Sequence, residues 1–258
     1  MKMNNKEFAI KCGDWLNEMF NDVSFTIKIC DTERLPVSMS YFGGAPTIVI
    51  PLAYIEKSES IENKYDVDAG KLFLLSIICH ELTHLLYYHH DQETVNSEEK
   101  MSATELWADF FGAIIFSYLV YFNAEIISSI LITKHNSEDE LLATYGCVIE
   151  EILEFIDSVP ESNCYPPAAE RIQAMIIGPL SFYGRLHGYN YDRKIWAMGK
   201  IYGKTSLMKY TIDSNFNPEN YSLLSSCREA HIDLKKNDYS LLSNMKGSVS
   251  DIIKPEFI

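Results

Sequence analysis

The chain has few features of a membrane or secreted protein. Its longest apolar runs, residues 110–122 and 126–132, are shorter than the about 20 residues that a spanning helix needs. Residues 1–15 lack the unbroken apolar core of a signal peptide. The six cysteines show neither CxxC spacing nor a dense framework, which is typical of free thiols in a reducing compartment. These absences predict a cytoplasmic protein that does not enter a membrane.

Internal repeats, a phosphate-binding loop and low-complexity segments are also absent. The net charge of −14 argues against binding to nucleic acid or to an anionic membrane surface. A hydrophobic content of 47% and a charged content of 22% indicate a globular protein. At 258 residues, the chain can form one domain with an extension, or two small domains.

Residues 80–84 read His-Glu-Leu-Thr-His, the HExxH arrangement of zinc peptidases, within an apolar stretch that predicts a buried helix over residues 71–88. Residues i and i+4 of a helix share a face, so His80 and His84 can bind one metal while Glu81 points at the metal's water. These polar side chains need partners when buried, and a divalent cation satisfies all three. The alternative is a pair of hydrogen-bonded core histidines beside a chance glutamate.

Glu105 is the best candidate for the third ligand that a catalytic zinc requires. It lies in a second apolar helical segment, residues 103–113, where Glu105 and Asp109 occupy positions i and i+4. Asp109 would then accept the free N–H of a ligand histidine and fix its tautomer. The small residues that would let this helix approach the HExxH helix are Ala108, Gly112 and Ala113. The alternative is a solvated acidic pair on a helix surface.

His90 is a rival third ligand, because it follows His84 by six residues, as in the H-E-x-x-H-x-x-G-x-x-H pattern. That pattern needs a glycine to break the helix, and Tyr87 stands at this position instead. We therefore expect His90 at a polar helix end or in a cleft wall. Cys79, directly before His80, should point away from the metal-binding face and be buried.

The strings HELTH and ELWADFFGA resemble the gluzincin peptidases, and most closely the family of the CaaX prenyl-protein protease and the bacterial heat-shock membrane protease. Members of this family carry HExxH and then ExxAD followed by glycine. The resemblance implies a zinc site in which His80, His84 and Glu105 are ligands, Glu81 is the general base and Asp109 is a supporting residue.

A later segment, residues 164–172, is similar to that family's His-Pro segment with a following arginine. In the family, the histidine and the arginine lie beside the active site. Here Tyr165 stands in place of the histidine, and its hydroxyl could donate to a tetrahedral oxyanion. Arg171 would pair with an active-site carboxylate or with substrate, and the alternative is a surface arginine that opens an amphipathic helix.

Apolar periodicity predicts the elements before the motif. A helix is expected over residues 6–20, strands over 23–30, 35–42 and 47–50, and a polar loop over 58–68. This order predicts an α+β fold that is zincin-like and mostly helical, with a small mixed sheet before the active-site helix. Strand 47–50 could pair with an extended substrate if it lay at the sheet edge, and an interior strand is the alternative.

Further helices are predicted after the motif. They cover residues 138–155, 168–177 and 194–202, and Gly178 and Pro179 should end the second of them. Three glutamates of the first are expected on a solvated face: Glu150, Glu151 and Glu154. We expect residues 1–180 to form a zincin-like metallopeptidase domain and residues 181–258 a helical extension packed on it, or both to form one domain.

These features favour a soluble, cytoplasmic zinc metalloendopeptidase with Zn²⁺ as its cofactor. Glu81 would deprotonate a zinc-activated water that attacks a peptide carbonyl, and would then protonate the leaving amine. Family analogy favours a protein or peptide substrate, and the need for restraint predicts an activating or inhibitory protein partner. The alternatives are a catalytically silent zinc-bound interaction or regulatory protein, and a metal-dependent hydrolase of a non-peptide bond.

Overall fold

The structure is a computed structural model that describes residues 3–21, 24–31, 38–42, 45–87, 98–123, 125–126, 138–157, 166–187, 191–203, 205–207 and 245–253. The helices are α1 (Asn5–Asn17), α2 (Leu52–Lys64), α3 (Val67–Leu86), α4 (Glu98–Phe122), α5 (Glu138–Asp157), α6 (Ala168–Leu186), α7 (Tyr191–Tyr202) and α8 (Gly247–Ile253). The strands are β1 (Thr26–Cys30), β2 (Ser38–Phe42) and β3 (Ala45–Pro51). The predicted α+β class, mostly helical with a small sheet ahead of the HExxH helix, is confirmed.

The sheet has the order β1-β3-β2, with β1 parallel and β2 antiparallel to β3. Of the two alternatives for residues 47–50, the interior strand is correct, because β3 is hydrogen-bonded on both sides. Two β3 side chains, Ile48 and Ile50, are fully buried in the core. Among the residues that the structure describes, β1 and β2 are the outer strands of this sheet.

The predicted loop over residues 58–68 is wrong, because most of this stretch is helical. Helix α2 buries Ile55, Ser58 and Ile61, which share one face at a spacing of three residues. A short break follows at residues 65–66, where the Asp66 carboxylate accepts the Ala69 N–H at 3.0 Å and caps α3. The polar residues that suggested a loop are mainly on the outer face of α2.

Glu151 of α5 was expected on a solvated face, and this prediction is also wrong. Its side chain is 3% exposed, and its two carboxylate oxygens each accept a 2.6 Å hydrogen bond, one from Lys57 and one from Lys64. Burial raises the pKa of Glu151, but these lysines outweigh burial and hold the pKa below its ordinary value. The resulting ion pairs connect α5 to α2.

Helix α6 continues past the position at which the sequence predicts its end. Pro179 has no N–H, so the Met175 carbonyl has no backbone donor at this turn, and the Tyr145 hydroxyl donates to it at 3.2 Å. Gly178 allows a close approach to α4, since an added Cβ would lie 2.6 Å from the nearest α4 atoms. Packing and a replaced hydrogen bond therefore keep the helix intact.

The proposed domain boundary at residues 180 and 181 falls within α6, and the division itself stays a prediction.

Helices α3 and α4 form the centre of the core. Segments Asp68–Leu86 and Ser102–Phe122 are long and apolar enough to cross a membrane, but 78% of each apolar window is buried inside the protein. The second segment is longer than the apolar run counted in the sequence, because the helix begins well before residue 110. Helix α3 packs against α1, α2, α4 and α5. This burial favours two core helices, and the expected absence of a membrane contact stays a prediction.

Candidate metal centre

The site lies where the second half of α3 crosses the first half of α4. His80 contacts Asp109 and His84 contacts Glu105, so the helices run antiparallel. They approach closely at Gly112, where an added Cβ would lie 2.9 Å from the Cα and N atoms of His80. A residue without a side chain at this position thus lets α4 bring its carboxylates to the histidines.

Three side chains place one donor atom each around a common point. The distance from His80 Nε2 to His84 Nε2 is 3.1 Å, and Glu105 Oε2 and Oε1 lie 3.4 Å from these two nitrogens respectively. Ligands bound tetrahedrally at about 2.0–2.1 Å from zinc are separated by about 3.3 Å. His80, His84 and Glu105 therefore fit one such ion, and among the described residues they form the candidate metal-binding group.

The group is open on one side. The exposed fraction is 6% for the His84 side chain, 15% for His80 and 21% for Glu105. A structural zinc site usually has four protein ligands, whereas a catalytic one has three and an open position for water. The three donors found among the described residues, together with their partial exposure, match the second arrangement.

Asp109 lies behind His80 and is fully buried. His80 Nδ1–H donates to Asp109 Oδ1 at 2.9 Å, so in the neutral imidazole the lone pair is on Nε2, the atom that faces the metal position. Arg171 donates to the same carboxylate through Nε at 2.6 Å and Nη2 at 2.9 Å. The structure thus connects Arg171 through Asp109 to His80, whose Nε2 is a candidate ligand atom.

Arg171 is 4% exposed, so the alternative of a surface arginine is wrong. Its Nη2 atom is also 4.0 Å from Glu105 Oε2. Both prongs of the guanidinium are directed to Asp109, which indicates that Arg171 supports the site through that carboxylate. Tyr165 and His90 lie outside the residues that the structure describes.

No family model, curated protein or solved structure matches the chain. The resemblance to gluzincin peptidases rests on the HExxH and ExxAD motifs and stays a prediction.

Glu81 is half-buried beside the metal position. Burial raises the pKa of Glu81, and the opposing effects of His80 and His84 are smaller. A carboxylate with a raised pKa is a stronger base than an ordinary one, and it can hold a proton after taking it. Glu81 therefore binds a proton more readily than an ordinary glutamate does.

The pKa values of His80, Glu105 and Asp109 are shifted towards their charged forms. Burial lowers the pKa of His80, but Asp109 and Glu105 act in the opposite direction and raise it to about 10. Burial raises the pKa values of Glu105 and Asp109, but the histidines hold that of Glu105 well below its usual range, and Arg171 and His80 lower that of Asp109. The two carboxylates therefore favour positive charge at His80.

Cys79 is fully buried, as the sequence predicts. Burial raises the pKa of its thiol well above the ordinary value and so disfavours the reactive thiolate. One feature was missed by sequence reasoning: Tyr87, which the sequence marked only as a missing glycine, packs against Trp107 and Phe111 of α4. The spacing of Trp107 and Phe111, i and i+4 on a helix, was its only local signal.

Proposed function

We propose that the chain is a zinc-dependent metalloendopeptidase of gluzincin type with a zincin-like fold. The convergence of His80, His84 and Glu105 at 3.1–3.4 Å carries this proposal, because two imidazoles and one carboxylate are a known donor set of catalytic zinc in peptidases. The adjacent Glu81 supplies the base that a hydrolase needs and that a structural zinc site does not need.

A bound zinc ion would act as a Lewis acid, lowering the pKa of a water and polarising the substrate carbonyl. The protein's own part is proton transfer and positioning. Glu81 takes the proton of the attacking water and later donates it to the leaving amine. Asp109, held by Arg171, keeps His80 in the tautomer whose Nε2 is free. Tyr165 is the proposed donor to the oxyanion.

A protein or peptide is the proposed substrate, and cytoplasmic location with control by a protein partner completes the proposal. Restraint of this kind has a clear experimental consequence: the purified protein should cleave few sequences in a peptide library. Constant and broad cleavage of casein would refute the partner-control part of the proposal.

The deciding experiment is elemental analysis of the purified protein for zinc, together with the variants Glu105→Ala and His90→Ala. We expect one zinc per chain that is lost in Glu105→Ala and retained in His90→Ala. No zinc in the wild type after expression with zinc supplied would overturn the proposal and leave His80 and His84 as a hydrogen-bonded core pair.

Turnover is tested separately with Glu81→Gln, which keeps the size of the side chain and removes its basicity. We expect this variant to retain zinc and to lose peptide cleavage. Unchanged biological effect of Glu81→Gln would favour the silent zinc-bound protein. A zinc-loaded wild type that cleaves no library peptide would favour hydrolysis of a non-peptide bond.

A further inference from the structure

Three aromatic rings fasten the end of α3 to α4. Tyr87, the residue at which α3 ends, is 5% exposed, and its ring is perpendicular to Trp107 at 5.7 Å and to Phe111 at 5.4 Å between centroids. Trp107 and Phe111 are themselves stacked at 6.1 Å with an interplanar angle of 7°. We call these three residues the aromatic clasp.

The clasp holds a different face of α4 from the one that carries the ligand. Trp107 follows Glu105 by two residues and is therefore about 200° further round the helix. Gly112 follows Glu105 by seven residues, which returns it to within about 20° of the ligand face, where it contacts the backbone of His80. Helix α3 thus contacts α4 on two faces, and these contacts together fix the rotation of α4 about its own axis.

Rotation of α4 matters because Glu105 is the ligand that this helix contributes to the candidate group. A carboxylate about 6 Å from a helix axis moves by about 1 Å when the helix rotates by about 10°. Metal–ligand distances tolerate only about 0.2 Å. A contact that prevents a small rotation therefore decides whether Glu105 and the histidines can bind the same ion.

We propose that Tyr87 is a positioning residue, which acts through Trp107 and Phe111 to hold the Glu105 carboxylate at the metal position. This inference rests on the proposed function, since it needs a metal bound by His80, His84 and Glu105. The aromatic ring of Tyr87 contacts both rings of α4, and its hydroxyl also interacts with Trp107. Phenylalanine should therefore preserve the ring contacts, and an aliphatic side chain should not.

The test uses the full chain with Zn²⁺ and with Co²⁺ as a visible-absorption probe of ligand geometry. The variants are Tyr87→Leu, Tyr87→Phe and a control, Phe25→Leu, which disrupts an edge-to-face pair with Phe20 outside the metal site. We expect Tyr87→Leu to weaken Zn²⁺ binding by about tenfold or more and to alter the Co²⁺ spectrum. Tyr87→Phe, which keeps the ring contacts, should bind Zn²⁺ more tightly than Tyr87→Leu, and Phe25→Leu should lose thermal stability while keeping wild-type affinity and spectrum.

A Tyr87→Leu protein with the wild-type affinity and spectrum overturns the inference, as does equal weakening of metal binding in Phe25→Leu. A wild type that binds neither Zn²⁺ nor Co²⁺ overturns the proposed function itself, so the two failures are distinguishable. If Tyr87→Leu does not fold, Phe111→Leu removes the other side of the same contact, and the same loss of affinity is expected.

Discussion

Arg171 and Asp109 form a two-pronged ion pair on the buried side of the candidate metal site. The two N–H···O distances are 2.6 and 2.9 Å, and the second oxygen of Asp109 also accepts from His80. Arg171 of α6 thus holds the Asp109 carboxylate of α4, and this carboxylate in turn orients the imidazole of His80 on α3, a candidate ligand. Helix α6 is therefore part of the site although it supplies none of the three donors that converge within the described residues.

Replacement of Arg171 by methionine should be strongly destabilising, because it leaves the buried Asp109 carboxylate without its cation. We expect a loss of about 3–5 kcal/mol in the free energy of unfolding, together with weaker zinc binding. Urea unfolding and a chelator competition measure the two effects. The control is Arg193→Met, which removes a half-exposed pair with Glu138 and should cost about 1 kcal/mol or less. Equal losses in both variants would contradict the buried role of Arg171.

Gly112→Ala should disturb the site through packing alone. The added methyl group would lie 2.9 Å from two backbone atoms of His80, which cannot move aside as a flexible side chain could. We expect a loss of about 1–3 kcal/mol in stability and weaker zinc binding. The control is Gly199→Ala in α7, where an added Cβ meets no atom within 4 Å. This substitution should stabilise the helix by about 0.5–1 kcal/mol. A harmless Gly112→Ala would show that α3 and α4 can separate without consequence.

Zinc affinity should rise with pH between pH 6 and pH 9. In the metal-free protein the pKa of His80 is raised to about 10, so His80 is protonated at neutral pH and zinc must displace that proton. The pKa of Glu105 is lowered, so its carboxylate is already ionised and adds no such competition. Titration calorimetry in buffers of different ionisation enthalpy measures the proton release. Asp109→Asn removes one of the charges that raise the pKa of His80, so its affinity should depend less on pH over this range.

The motif helices could be predicted from the sequence because their signals are local. The HExxH and ExxAD spacings place ligands on one face of a helix within five residues, and apolar flanks predict burial. Crossing of these two helices could also be anticipated from Gly112. The pairing of Arg171 with Asp109, 62 residues apart, was one of the alternatives that the sequence left open.

The errors arose where a distant partner decided the local structure. Residues 58–64 of α2 were assigned to a loop because the stretch 58–68 is polar and charged, yet Lys64 pairs with Glu151 at a separation of 87 residues. The order of the strands, in which β3 is central, is likewise a nonlocal property that cannot be read from the apolar periodicity of each strand. The same applies to Pro179, which locally predicts the end of a helix. The hydroxyl of Tyr145, 30 residues away from Met175, donates to the Met175 carbonyl, to which Pro179 cannot donate.

Glu151 provides a prediction on acid stability that is independent of the metal. Its pKa is lowered in the folded state, so its stabilising effect is fully present above its ordinary pKa and is lost as the pH falls through the lowered value. Glu151→Gln should therefore cost about 1–3 kcal/mol near pH 6, where the carboxylate accepts from two lysines, and progressively less towards pH 3. The measurement is the difference in unfolding free energy between wild type and variant at each pH. Glu154→Gln, at an exposed position of the same helix, should show almost no difference at any pH. A cost for Glu151→Gln that stays constant from pH 6 to pH 3 would mean that charge on Glu151 does not hold α5 to α2.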